Sequence, residues 1–224
     1  MENLKIEADI FSLNNQAAQK NRDTFQQHGV FVINIMGSPG AGKTTLLEHI
    51  LPQLKQSHRI AVIEGDLATE NDACRIRQTG VPAVQINTGG GCHLDATMIA
   101  AQFSKLHPDK LDLLIIENVG NLVCPISFDL GEDLRMVILS IPEGEDKPLK
   151  YPSAILGTDA VVLTKTDLAP FVDVNPKTMA NHSMTIHPKV TVLYAGKEGN
   201  VYNAAGVIAY IRDKMEAKKQ SNKV

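Results

Sequence analysis

Residues Gly37-Ser38-Pro39-Gly40-Ala41-Gly42-Lys43-Thr44 carry the most specific chemistry in this chain. A glycine, four residues and then Gly-Lys-Thr is the phosphate-binding P-loop pattern. Glycines at 37, 40 and 42 permit backbone angles that a Cβ blocks, so successive N–H groups can turn inward around phosphate oxygens. A helix leaving the loop at Thr45 adds unpaired N-terminal donors and the positive end of its dipole. Lys43 brings an ammonium to the β- and γ-phosphates, and the Thr44 hydroxyl suits Mg²⁺.

Such a loop needs a carboxylate for the magnesium. Asp66 closes the second apolar run, and Glu117 closes a fourth in Ile115-Ile116-Glu117-Asn118-Val119-Gly120. In an α/β sheet ligands collect at the carboxyl ends of strands, so either acid can hold Mg²⁺, directly or through its waters, or polarise the attacking water. The plain alternative at each is a turn acid or helix cap. Gly120 lets a backbone N–H approach the γ-phosphate.

Residues 159–167 end in Thr164-Lys165-Thr166-Asp167, which resembles the Asn-Lys-x-Asp element of GTPases with threonine replacing asparagine. The Asp167 carboxylate can accept from both N1–H and the 2-amino group of guanine, whereas adenine offers a lone pair at N1. Lys165 lays its aliphatic stem over the purine. Ala195, in Tyr194-Ala195-Gly196-Lys197, is the candidate of a second base-contacting loop.

A softer set of donors lies nearby. Cys92 and His93 follow Gly89-Gly90-Gly91, and Cys124 lies seven residues beyond Glu117. Thiolate and imidazole suit Zn²⁺, Ni²⁺ or Cu⁺ far better than Mg²⁺. The alternative is two buried small hydrophobes and a hydrogen-bonded histidine. Cys74, in a charged helix, reads as structural.

The elements that must position these groups follow from periodicity and breakers. Residues 30–36 form an apolar, β-branched strand into the P-loop, and 45–51 leave it with helical spacing. Pro52 should kink or end that helix near Leu51. Further strands are expected at 59–63, 82–86, 111–116, 134–141, 159–163 and 190–193, with helices at about 70–79, 95–106 and 201–215. The alternation predicts an α/β class: a three-layer P-loop NTPase fold, its mostly parallel sheet flanked by helices. Residues 1–29 read as an N-terminal helical extension packed on the domain, with Leu13, Ala17 and Phe25 on one face, Gly29 as cap, and 1–9 disordered. The P-loop domain proper is 30–215, and 216–224 a flexible tail.

At 224 residues, with 43% hydrophobic and 21% charged residues, the chain suits one soluble globular domain. A net charge of −3 gives no reason to expect nucleic acid or an anionic membrane as partner. No apolar run reaches the ~20 residues that span a bilayer, and the first residues lack a secretion signal. Three cysteines argue against a disulfide framework. The expected compartment is the cytoplasm.

Taken together, residues 38–44, Glu-Gly-Asp-Leu at 64–67, Gly-Gly-Cys-His-Leu at 90–94 and Glu-Asn-Val-Gly-Asn-Leu-Val-Cys-Pro at 117–125 resemble the HypB family, the GTPases of nickel insertion into [NiFe]-hydrogenase. The resemblance implies a homodimerising metallochaperone of the signal-recognition-like branch of P-loop proteins that binds GTP and GDP with Mg²⁺. It implies a Ni²⁺ or Zn²⁺ site of Cys92, His93 and Cys124 at or near the dimer interface. It also implies partnership with a HypA-like nickel metallochaperone and a hydrogenase large-subunit precursor. Residues 1–29 hold no cysteine and only His28, so they lack the Cys-rich or His-rich nickel-binding segment that some members carry. The competing readings are the urease-type nickel GTPase, a small-molecule P-loop kinase, and a metal storage or sensing protein with a vestigial nucleotide site.

Overall fold

The computed structural model describes residues 2–66 and 70–221, with side chains from residue 9 onward. Seven strands form one all-parallel sheet: β1 (Phe31–Gly37), β2 (Ile60–Asp66), β3 (Ala83–Asn87), β4 (Leu113–Glu117), β5 (Leu134–Ser140), β6 (Ala160–Thr164) and β7 (Thr191–Tyr194), in the order β3-β2-β4-β1-β5-β6-β7. Among the described residues eight α-helices accompany them: α1 (Glu2–Gln27), α2 (Lys43–Leu54), α3 (Asn71–Gln78), α4 (Ala96–Phe103), the short α5 (Lys147–Lys150) and α6 (Pro152–Leu156), α7 (Pro176–Ile186) and α8 (Ala205–Ser221). This is the three-layer α/β fold that the alternating pattern predicts.

Strand β1 is buried along its whole length, as expected where helices cover both faces of a parallel sheet. Phe31, Ile33 and Ile35 pack with Leu46, Ile50 and Leu54 of α2 and with Ile208 and Ile211 of α8. Val32 points the other way, into a cluster with Phe25 of α1 and Ile99 and Phe103 of α4. A third cluster joins Val137 and Leu139 of β5 to Ala154, Ile155 and Met179 of the later helices.

Several expectations are corrected. Helix α2 continues through Pro52 to Leu54, because Leu51 and Leu54 are fully buried and their packing outweighs one missing N–H. The last helix starts at Ala205, later than residue 201, and ends at Ser221, past Met215; Lys218 Nζ pairs with Asp133 Oδ2 at 2.5 Å. A hairpin, β8 (Gly196–Glu198) and β9 (Val201–Asn203), fills residues assigned above to loop and helix. Its signal was present: Gly199-Asn200 separates the two strands, and Gly199 has φ +63°. Helix α1 begins at Glu2, against the expectation of disorder over 1–9; residue 1 and residues 222–224 lie outside the described residues.

The buried face of α1 also differs. It is Asn14, Ala18, Asn21 and Phe25, while Leu13 is 65% exposed. Polar residues are buried there because they serve the start of α4. Asn14 Oδ1 accepts from the Ala96 N–H at 3.0 Å, and Asn21 Nδ2 donates to the carbonyls of Ala96 (2.7 Å) and Leu130 (3.0 Å). Asp95 caps the same helix through Met98 N–H. The effect is to fix the segment just after Cys92 and His93. Replacing Asn21 by Ala removes a donor from two buried carbonyls and should cost about 1–3 kcal/mol in urea unfolding; an unchanged midpoint and slope would refute that role.

Candidate functional site

Residues 37–44 connect β1 to α2 and rim a cleft of about 420 Å³ at the carboxyl edge of the sheet. Two glycines adopt positive φ, Gly40 at +73° and Gly42 at +91°, which turns the loop inward before the helix. Lys43 folds back with Nζ 3.4 Å from the Gly37 carbonyl, and Thr44 Oγ1 donates to Glu117 Oε1 at 2.8 Å. Glu117 thus stands at the helix N-terminus beside the expected magnesium hydroxyl. Asp66 lines the same cleft from the end of β2, and Thr45 from α2. Ser38 is hydrogen-bonded to Glu143, which Lys147 neutralises at 2.9 Å. Ala41 is fully buried beneath the loop, and Pro39 forms part of its outer wall.

Glu64 was absent from the expected site. It lies opposite Glu117 across the β2–β4 ladder, and both carboxyls are nearly inaccessible, at 2% and 3% exposure. Burial, then the neighbouring carboxyl of Glu117, raises the Glu64 pKa to about 11; burial likewise raises that of Glu117, opposed by Lys43. Donors of this kind, two carboxylates and a hydroxyl with buried oxygens lacking partners among the described residues (Glu64 Oε1, Glu117 Oε2), fit a hard divalent cation. Arg75 is the second omission. On the cleft wall, it donates to Thr45 Oγ1 at 3.1 Å and pairs with Glu48 and Asp72.

The residues expected to contact a base lie at the end of β6 and beside the new hairpin. Thr164 Oγ1 donates to the Ala41 carbonyl at 2.5 Å, tying the end of β6 to the P-loop. That is a structural use for threonine in place of asparagine. Lys165 adopts φ +56° and its Nζ reaches the Gly40 carbonyl at 2.7 Å, so its stem crosses the loop. Asp167 Oδ1 accepts from the Lys197 N–H at 2.9 Å. Gly196 makes this approach possible: a Cβ there would sit 2.8 Å from Asp167 Oδ1. Ala195 is buried, its N–H bonded to the Leu163 carbonyl and its own carbonyl to Thr166 N–H.

The soft donors converge. One ligand atom each from Cys92, His93 and Cys124 lies within 4.8 Å of the others. Ligand atoms about 3.7 Å apart suit a tetrahedral zinc-thiolate site, so a closure of about an ångström completes the set. Cys124 opens a 3₁₀ turn, Cys124–Ser127, and His93 stacks on Phe128 with ring centroids 3.7 Å apart. Burial lowers the His93 pKa and favours the neutral ring that a metal requires. A hydrogen bond that the Cys92 thiol donates to Cys124, then burial, raises the pKa of Cys92. Cys74 is exposed and 3.1 Å from Arg77 Nη2, apart from this group.

Residues 117–124 join the two centres. The Gly120 backbone lies so near the P-loop that an added Cβ would be 3.1 Å from Pro39 Cα. Asn121 forms a backbone bridge with Gly37, and its Nδ2 donates to the Cys92 carbonyl at 3.2 Å. Asn118, buried between them, accepts through Oδ1 from both Leu94 N–H (3.2 Å) and Val119 N–H (3.0 Å). Among the described residues no helix is long and apolar enough to cross a membrane.

Comparison with known proteins follows the same lines. Residues 31–194 match the family described as CobW/HypB/UreG, nucleotide-binding domain. Hydrogenase maturation factor HypB of Rhizobium leguminosarum bv. viciae is 48% identical over 190 residues, 85% of this chain; the chain spans 64% of that relative's length. The crystal structure of hydrogenase maturation factor HypB from Archaeoglobus fulgidus superposes with a TM-score of 0.84 at 35% identity, covering 91% of this chain and 99% of the other. HypB from Helicobacter pylori, crystallised in complex with nickel, does so at 0.83 and 38% identity, covering 93% and 96%.

Proposed function

The chain belongs to the HypB group of hydrogenase maturation factors within the CobW/HypB/UreG family, and on that premise we propose that it is a GTPase coupling GTP binding and hydrolysis to delivery of nickel into a [NiFe]-hydrogenase precursor. One observation carries the reading: Asn121 bridges the first P-loop residue with its backbone and holds the Cys92 carbonyl with its side chain. A change at the phosphates therefore has a direct mechanical route to the soft-metal ligands.

In the proposed reaction the P-loop amides and Lys43 cradle the phosphates, and Lys43 exchanges its Gly37 contact for phosphate oxygens. Thr44 and Glu117 hold Mg²⁺, with Asp66 within the same cleft. The bound ion would neutralise charge on the β- and γ-phosphates. Glu117 would orient water at the γ-phosphate, and the Gly120 N–H would register whether that phosphate is present. Cys92, His93 and Cys124 carry nickel as cargo, with zinc as a competing occupant of the same donors. Three donors leave one tetrahedral position for water or a second protomer, which favours a metal-linked homodimer. A HypA-like metallochaperone and the hydrogenase large-subunit precursor are the proposed donor and recipient. The cytoplasm is the proposed setting.

Glu117→Ala tests the hydrolytic assignment. Single-turnover GTP hydrolysis should fall about 100-fold, while GDP affinity in EDTA changes little, because the carboxylate acts through the ion around the γ-phosphate. Undiminished turnover in the folded variant would remove Glu117 from the machinery.

A further inference from the structure

Carboxyls at opposed positions of adjacent parallel strands lie on one face of the sheet, with backbones about 4.8 Å apart. Glu64 and Glu117 are such a pair, on the face shared by Val62, Ile115 and α2. Their surroundings supply few counter-charges: Lys43 is engaged at Gly37 O, and Thr44 satisfies only Glu117 Oε1. Glu64 is 98% removed from solvent yet lines the cleft, and its Oε1 has no hydrogen-bond partner among the described residues. Burial favours the protonated form of Glu64, which is hydrogen-bonded to Glu117, but a buried carboxyl oxygen that still lacks a partner is costly unless a ligand meets it.

We propose that Glu64 is a further protein carboxylate of the divalent-cation site, beside Glu117 and in addition to Asp66, so that β2 and β4 together grip a hard cation even when only two phosphates are present. This rests on the reading of the cleft as a nucleotide–magnesium site and extends it. With a hydroxyl on α2 and a carboxylate on each of two strands, the protein contributes more of the coordination than a hydroxyl and one acid would. The cation then remains with GDP after the γ-phosphate has left. The all-oxygen set also separates magnesium from the sulfur and imidazole donors at Cys92, His93 and Cys124, which keeps the cargo metal out of the hydrolytic centre by ligand chemistry alone.

The test is calorimetric titration of Mg²⁺ into the full chain loaded with GDP, for wild type and Glu64→Gln. Mg²⁺ affinity should drop roughly 10- to 100-fold in the variant, by analogy with the loss on removing groups that support metal ligands. GDP affinity in EDTA and nickel affinity at the Cys/His site should stay within about twofold of wild type. Thermal melts give a second readout. In EDTA the variant should melt no lower than wild type, since an amide replaces one of two crowded acids, but Mg²⁺ should raise its midpoint less. Equal Mg²⁺ affinity, or an equal magnesium-induced shift from a lower starting point, would show a purely structural glutamate and overturn the proposal. If Glu64→Gln does not fold, Glu64→Asp retains the charge but withdraws it by one methylene; unchanged Mg²⁺ affinity there overturns the proposal equally. Failure of wild type to bind GDP would instead overturn the nucleotide reading itself.

Discussion

Asp167→Asn is expected to lose most of its affinity for GTP and gain affinity for xanthosine triphosphate. The carboxylate is held by the Lys197 N–H at Oδ1 and approached closely by Gly196, so it is oriented before any base arrives. Each carboxylate oxygen can accept more than one hydrogen bond, leaving capacity for guanine N1–H and the 2-amino group. An amide at 167 places its NH₂ against one of those donors. Two lost charge-assisted hydrogen bonds at about 1.5–3 kcal/mol each correspond to roughly 10²- to 10⁴-fold in affinity. Xanthine carries a 2-carbonyl that the new amide can donate to, so specificity should invert, with phosphate contacts untouched. Competition binding with GTP, xanthosine triphosphate and ATP measures this directly. Wild-type protein that took ATP as readily as GTP would refute the assignment of Asp167 to the base.

Cys124→Ala should remove both the soft-metal site and its communication with the nucleotide. It deletes one of three converging donors, and a loss of roughly 100-fold or more in Ni²⁺ or Zn²⁺ affinity is expected, exceeding that for a supporting group. Cys124 is also the donor nearest in sequence to the segment that touches the P-loop, and Pro125 stiffens the chain just past it. If a γ-phosphate reorders residues 119–124, wild type should bind metal with affinities differing about 5- to 150-fold between its GDP and GTP-analogue states, and metal should shift nucleotide affinity by the same factor. The variant should show neither difference, while GDP binding stays near wild type. Equal metal affinity in the two nucleotide states of wild type, at fixed pH and protomer concentration, would sink the coupling. The pH must be fixed because Cys124 holds the Cys92 thiol protonated above its ordinary range. Metal binding must then release protons, so affinity should rise with pH and fall on acidification.

Much of this was readable from the chain because the chemistry is contiguous. Residues 37–44 announce phosphate binding without any partner, since glycine placement and a following helix are local properties. Asp66 and Glu117 were found as acids closing apolar runs, and Thr164-Lys165-Thr166-Asp167 as a polar cluster closing another. The Cys-His pair and Cys124 were visible as types, and their resemblance to one family suggested that they meet.

What the chain alone left open was every feature set by register between distant segments. Glu64 and Glu117 are 53 positions apart, and only the parallel pairing of β2 with β4 puts them side by side. Asn14 and Asn21 looked like the polar side of a weakly amphipathic helix; they are its buried face because the first turn of α4 and the Leu130 carbonyl need donors and acceptors there. Nothing in the sequence marks Gly196 as the residue that admits Asp167, whose carboxylate lies where a side chain at 196 would begin. Asn118 and Asn121 carried no sign of reaching Leu94 and Cys92 across the sheet edge. Sequence determined which groups are candidates for phosphate, guanine and soft metal, because residue type and short spacing set that chemistry. Tertiary structure alone decided that Glu64 faces Glu117 and that Asn121 ties Cys92 to the P-loop, because a strand's neighbour is chosen by the packing of the whole sheet.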